Sequence, residues 1–184
     1  MNRQAAPTQM DSPWLHRVRG ALLLSACAEA LAAPFAGRPL PVLDEVSAAL
    51  LHPDPGRQCP SCGSAQTLVV AEHIAERDGR LEEDSLAAAL ARQCGSHETA
   101  GDLSGTHKVL ADIEKGVPWW ESAAALHNRQ GSYGNDAAVR ATPLGLLPHT
   151  AVGTIALLAR RSAAVTHAHQ LARDGAQACA RCQG

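Results

Sequence analysis

The segment Gly131-Ser-Tyr-Gly-Asn-Asp-Ala-Ala-Val-Arg-Ala-Thr-Pro-Leu-Gly145 holds the residues best suited to chemistry. Two glycines, a hydroxyl, an aromatic ring and an amide precede an apolar, helix-like run. Glycine lets the backbone take positive φ and come close to a ligand. Backbone N–H groups left over where a loop meets a helix start form a natural anion site. The segment therefore points to a phosphate-bearing ligand, although a tight turn between helices has a similar composition. A second set of candidates is thiol-based. Cys59-Pro-Ser-Cys62 and Cys179-Ala-Arg-Cys182 are both C-x-x-C pairs, with Cys27 and Cys94 left over. Four thiolates suit tetrahedral zinc if the pairs meet in space. They lie over a hundred positions apart, whereas zinc modules keep such pairs within about 20 residues. Buried thiols acting as small apolar groups are the competing reading.

Gly131–Gly145 resembles the GSxGNGxAMRxxPLG signature of the ADP-ribosylglycohydrolases. Downstream, Ser162-Ala-Ala-Val-Thr-His167-Ala-His169 resembles that family's S-x-x-x-T-H-x-H segment. Upstream, the run from Arg17 to Phe35 resembles its opening R-x-x-G-x-L-L-G-x-x-x-G-D-A-L-G-A-P-F-E. The three segments stand in family order and together span most of the chain from Trp14 to about Ala178. The type resembled is the ADP-ribosyl-dinitrogen reductase glycohydrolase or ADP-ribosylarginine hydrolase. These are metal-dependent enzymes that remove ADP-ribose from modified protein side chains. The resemblance implies that Ser132, Tyr133, Gly134 and Asn135 cradle the diphosphate and adenosine end of ADP-ribose. It places His167 near the ribose. The implied partner is ADP-ribose or an ADP-ribosylated protein.

The family holds magnesium with an early T-D-D-T motif and a late D-x-D-T motif, matching that ion's demand for oxygen ligands. Alignment through Ala71-Glu72 puts T-D-D-T on Ser61, Cys62, Gly63 and Ser64. Both aspartates are absent, and cysteine is a soft ligand suited to zinc or copper. No D-x-D-T occurs in the chain. The acid of A-P-F-E falls on Ala36, and Glu29 is a possible substitute. The expectation is a short, divergent member lacking the C-terminal part, impaired or inactive as a hydrolase, with magnesium weak or absent. The alternatives are a non-catalytic ADP-ribose-binding module, or a helical zinc protein using Cys59, Cys62, Cys179 and Cys182. Asp136 replaces the usual third residue of G-N-G, and its carboxylate beside a diphosphate is repulsive.

The elements that must position these residues read as helices. Alanine and leucine dominate, and aromatics make up 3%. That composition favours helix and disfavours a sandwich or barrel. The fold class expected is all-α, a single multi-helix bundle over 14–184 behind a loose tail at 1–13. A first helix runs from about Trp14 and ends before Pro34. A short one is expected at Asp44–Leu51. Ser64 is placed to cap a helix reaching Gly79. Further helices are expected from Asp84 to Gln93, from Thr106 to Lys115 with Gly116 as stop, and from Pro118 through Ala125. A last long segment covers Ala151–Ala180.

Trp119 and Trp120 point about 100° apart on a helix, so one can be core while the other is exposed; the pair reads as an anchor for the helix N-terminus, with an interface or ligand platform as the alternative. Glu82-Glu83-Asp84 reads as a solvated helix start. His107, His127 and His149 receive no role. A net charge of −2 implies no general attraction to nucleic acid. Residues 17–33 mimic a signal peptide, but Glu29 interrupts the apolar run, so an amphipathic helix fits better. No apolar stretch is long enough to span a membrane. The location expected is cytoplasmic.

Overall fold

The computed structural model describes residues 12–32, 35, 44, 46–47, 62–95 and 105–183. Their regular structure is helical, with no strand among the described residues. The helices are α1 (Pro13–Ala32), α2 (Cys62–Glu76), α3 (Glu83–Gly95), α4 (Gly105–Glu114) and α5 (Trp119–Arg129). Two single-turn helices follow, α6 (Asp136–Val139) and α7 (Thr142–Gly145), and then α8 (Val152–Ala164) and α9 (Gln170–Gln183). Of the segment expected at Asp44–Leu51, positions 44, 46 and 47 are helical and the rest lies outside the described residues. The tail at 1–11 lies outside them as well.

Small side chains set the packing. Ala159 and Ala163 on α8, and Ala172, Ala176 and Ala180 on α9, recur every four residues, so they share a face. All five are buried, and α8 and α9 pack against each other more extensively than any other pair. α9 also covers α6 and α7. Gly145 of α7 fits here because a Cβ would meet the Ala180 carbonyl oxygen and the Gln183 Cβ. Val70, Leu86, Leu90, Leu110, Leu144 and Ile155 complete the core from α2, α3, α4, α7 and α8. α1 lies outside it, with no buried residue. Its anchors are polar: Trp14 Nε1 donates to the Leu146 carbonyl at 2.8 Å, and Arg17 Nη2 to the Gln183 carbonyl at 2.5 Å.

Four expectations need correction. Ser64 does not cap α2, which begins at Cys62; its hydroxyl points to another helix instead. The stretch Ala151–Ala180 is not one long element, because helix stops at Ala164 and restarts at Gln170. Thr166 and His167 turn into the interior there. His169 Nδ1 accepts the Leu171 N–H at 3.2 Å, capping α9 as a side-chain acceptor does. The run after Asn135 is not a sustained helix but the two single turns α6 and α7, with Pro143 in the first turn of α7. The acidic start of α3 is not merely solvated. Arg161 Nε and Nη2 grip the Glu83 carboxylate at 2.5 and 2.6 Å, and that bidentate bond holds its carboxyl below the usual range.

The tryptophans behave as the helical period requires. Trp119 packs on the core and donates Nε1–H to Asp84 at 2.7 Å, while Trp120 is 54% exposed. Trp120 lines an open groove of about 620 Å³ with Asp112, Glu121 and Arg129. Regular α5 backbone ends at Ala125, as expected, and Leu126 is already extended with φ −65° and ψ 152°. His127, Asn128 and Arg129 then take φ of 49°, 57° and 68°. Three successive non-glycine residues in the left-handed region are costly, and they swing the chain into the Gly131 loop.

Candidate functional site

The loop Gly131–Asn135 is pinned between α5 and the turn before α9. Gly131 has φ +79° and donates its N–H to the Leu126 carbonyl at 3.0 Å. Its Cα faces Ala168 and His169 so closely that a Cβ would lie 2.6 Å from Ala168 Cβ and 2.7 Å from His169 N. Ser132 is buried, and its hydroxyl accepts the Gly134 N–H at 3.1 Å. That donor is thus held within the loop. Asn135 is exposed, and its carbonyl accepts the N–H groups of Ala138 and Val139, starting α6. A four-residue helix contributes little macrodipole.

Tyr133 is 61% exposed and sits between two imidazoles. The His127 ring lies 5.2 Å away at a tilt of 35°, and the His169 ring 5.8 Å away edge-on. His127 had no role in the sequence reading. No motif marks it, because its meeting with Tyr133 depends on the left-handed turn.

Beneath the loop lies a buried polar relay. Arg140 is fully buried on α6–α7. Its Nη1 donates to Gln66 Oε1 at 2.8 Å, and its Nη2 to the Ser162 carbonyl at 2.8 Å and Thr166 Oγ1 at 2.7 Å. The Thr166 hydroxyl, accepting from Arg140, keeps its own proton for His167 Nδ1 at 2.7 Å. That network assigns the tautomer: Nδ1 accepts, and Nε2 carries the proton. His167 is fully buried, and Nε2 has no hydrogen-bond partner. A Cβ on Gly134 would sit 3.4 Å from that Nε2 and 3.3 Å from Ser132 Oγ. Burial, then the nearby Arg140 charge, lowers the His167 pKa to about 4, opposed weakly by Asp136. The site at neutral pH therefore offers a neutral N–H donor beside the loop.

The sign of the pH response follows. His167 folds with a pKa below its unfolded value of 6.5, so the unfolded chain binds the extra proton. Stability is complete above pH 6.5 and falls as pH drops toward 4, by about 3 kcal/mol for that interval. His73 adds to the same trend, since burial and then Arg77 lower its pKa and its Nε2 accepts the Glu82 N–H at 3.2 Å. Denaturant midpoints between pH 7.5 and 4.5 should fall steeply in the native chain and less in His167→Asn. Parallel curves for the two would refute the assignment.

Asp136 is held from one side by α4. Its Oδ2 accepts the hydroxyl of buried Thr106 on α4 at 2.6 Å. The remaining sequence candidates divide. Glu29, Gly63 and Ser64 meet: Ser64 Oγ donates to Glu29 Oε2, and a Cβ on Gly63 would collide with Glu29 Oε1. Ser61, Ala36 and Cys59 lie outside the described residues, as does the Cys62 side chain. Cys179 and Cys182 are exposed free thiols on α9. Among the described residues no three His, Cys, Asp or Glu side chains converge as a metal site.

One comparison with known proteins is positive. The model of the ADP-ribosylglycohydrolase family matches residues 10–182. No curated protein matches the chain.

Proposed function

The chain belongs to the ADP-ribosylglycohydrolase family, and from that premise we propose that it recognises ADP-ribose, free or attached to a protein, while its hydrolysis is impaired. The family acts on ADP-ribosylated substrates, and the all-helical fold agrees with that membership. The observation that supports retained recognition is His167. A fully buried imidazole with an unpartnered Nε2 beside Gly134 is a cost unless something else accepts its proton. A ribose hydroxyl or phosphate oxygen over the Ser132–Asn135 loop supplies that acceptor. Tyr133, with His127 against it, offers the aromatic face for the adenine ring.

Impaired hydrolysis is supported by the aligned T-D-D-T positions. Gly63 has no side-chain ligand, and Ser64 is engaged with Glu29. A single carboxylate does not fit the several-oxygen shell that magnesium takes, so no chemical step is routed through a metal. As part of this reading we place the protein in the cytoplasm. Among the described residues no helix is long and apolar enough to cross a membrane.

Thermal unfolding with and without millimolar ADP-ribose tests the proposal. A ligand at 100 times its Kd stabilises by about 2.7 kcal/mol, and the midpoint should rise with or without magnesium. Tyr133→Ala, at an exposed position, should leave the unliganded midpoint unchanged and remove most of the rise. An absent shift in the native chain overturns recognition. Magnesium-dependent release of ADP-ribose from an arginine-modified protein overturns impairment.

A further inference from the structure

We propose that the α1–α2 junction is an internal carboxylate lock standing where the family's early metal motif falls: Glu29 seats in the notch left by Gly63 and is held there by Ser64. Two contacts define it. Ser64 Oγ donates to one carboxylate oxygen of Glu29. The other oxygen lies where a Gly63 Cβ would be, with Glu29 Cδ 3.2 Å from that point. The same notch is closed by Val139 Cγ1 at 3.3 Å. The carboxylate thus joins α1 to the first turn of α2 against α6, a favourable place for an anion at a helix N-terminus.

The geometry is exclusive. A side chain at position 63, including the aspartate of the family motif, cannot coexist with Glu29 in its present position. The Ser64 hydroxyl is the partner that the carboxylate uses. α6, against which the carboxylate sits, begins directly after the Ser132–Asn135 loop. The inference rests on the proposed family-like alignment of Gly63 and Ser64, and it predicts that α1 docking depends on Glu29 instead of magnesium.

Alanine at position 63 is a selective probe, because the atom it displaces is the end of a flexible side chain and not backbone. Amide hydrogen exchange of the full chain reads the result over residues 21–32. Glu29→Ala and Gly63→Ala should each speed exchange there by about tenfold or more, through local opening. The double variant should be no faster than either single one, since both remove one interaction. Exchange in α8 and α9 should stay unchanged, and millimolar magnesium should not slow α1 exchange in the native chain. Native-like α1 exchange in both single variants, multiplying effects in the double, or protection of native α1 by magnesium would each overturn the lock. None of these readouts uses ADP-ribose, so a failure of ligand binding bears on the functional reading alone.

Discussion

Arg140→Leu is expected to destabilise the fold by about 3–5 kcal/mol, the range for breaking a buried charged network. The guanidinium is fully buried and joins α2 through Gln66 to the end of α8 through Ser162 and Thr166. Leucine fills much of the volume but removes the charged donor from the Gln66 amide oxygen, the Ser162 carbonyl and the Thr166 hydroxyl, and a buried polar group that loses its partner costs about 1–3 kcal/mol. The Thr166 hydroxyl also loses the donor that fixes its direction toward His167. Urea unfolding should therefore show a lower midpoint, and the ADP-ribose response should fall further than the stability loss explains. A stability within about 0.5 kcal/mol of native, the effect of an ordinary surface substitution, would show that the network is not a structural centre.

Gly131→Ala is expected to cost about 2–4 kcal/mol, combining a positive-φ penalty with overpacking. The residue has φ +79°, and its Cβ would meet Ala168 Cβ at 2.6 Å, His169 N at 2.7 Å and Ala168 C at 3.0 Å. Two of these are backbone atoms and the third is one bond from it, so none can swing aside. The loop must lift from the turn that carries His167, and binding should be lost with it. Gly175→Ala is the control: it sits inside α9 with open space around its Cα, where alanine should stabilise by about 0.5–1 kcal/mol. Equal effects at the two positions would mean that backbone flexibility alone, and not the close approach, governs Gly131.

The helical class and most element boundaries were legible in the sequence because they are local. Pro34, Gly116 and Pro118 are punctuation set by their own backbone limits, and the observed ends of α1, α4 and α5 follow them. The family was legible too, since three ordered motifs survive and the family match covers residues 10–182. The break between α8 and α9 was not, because Ala151–Ala180 has no strong stop signal. It forms where burial of Thr166 and His167 and the His169 cap outweigh weak helix propensity. The contact of Glu29, a possible substitute for the family acid, with Gly63 and Ser64 was not legible either, because Glu29 and Ser64 stand 35 positions apart.

By itself, then, the sequence determined an alanine-rich helical chain of this family with a Gly-Ser-Tyr-Gly-Asn loop. Tertiary structure alone decided where the polar groups ended up: Asp136 turned to Thr106, Glu29 locked into Gly63, and Arg140 and Thr166 orienting His167. The physical reason is that helix propensity and turn chemistry act over a few residues. The partner of a buried polar group is chosen by whichever distant segment packs against it, here across spans such as 74 residues between Gln66 and Arg140.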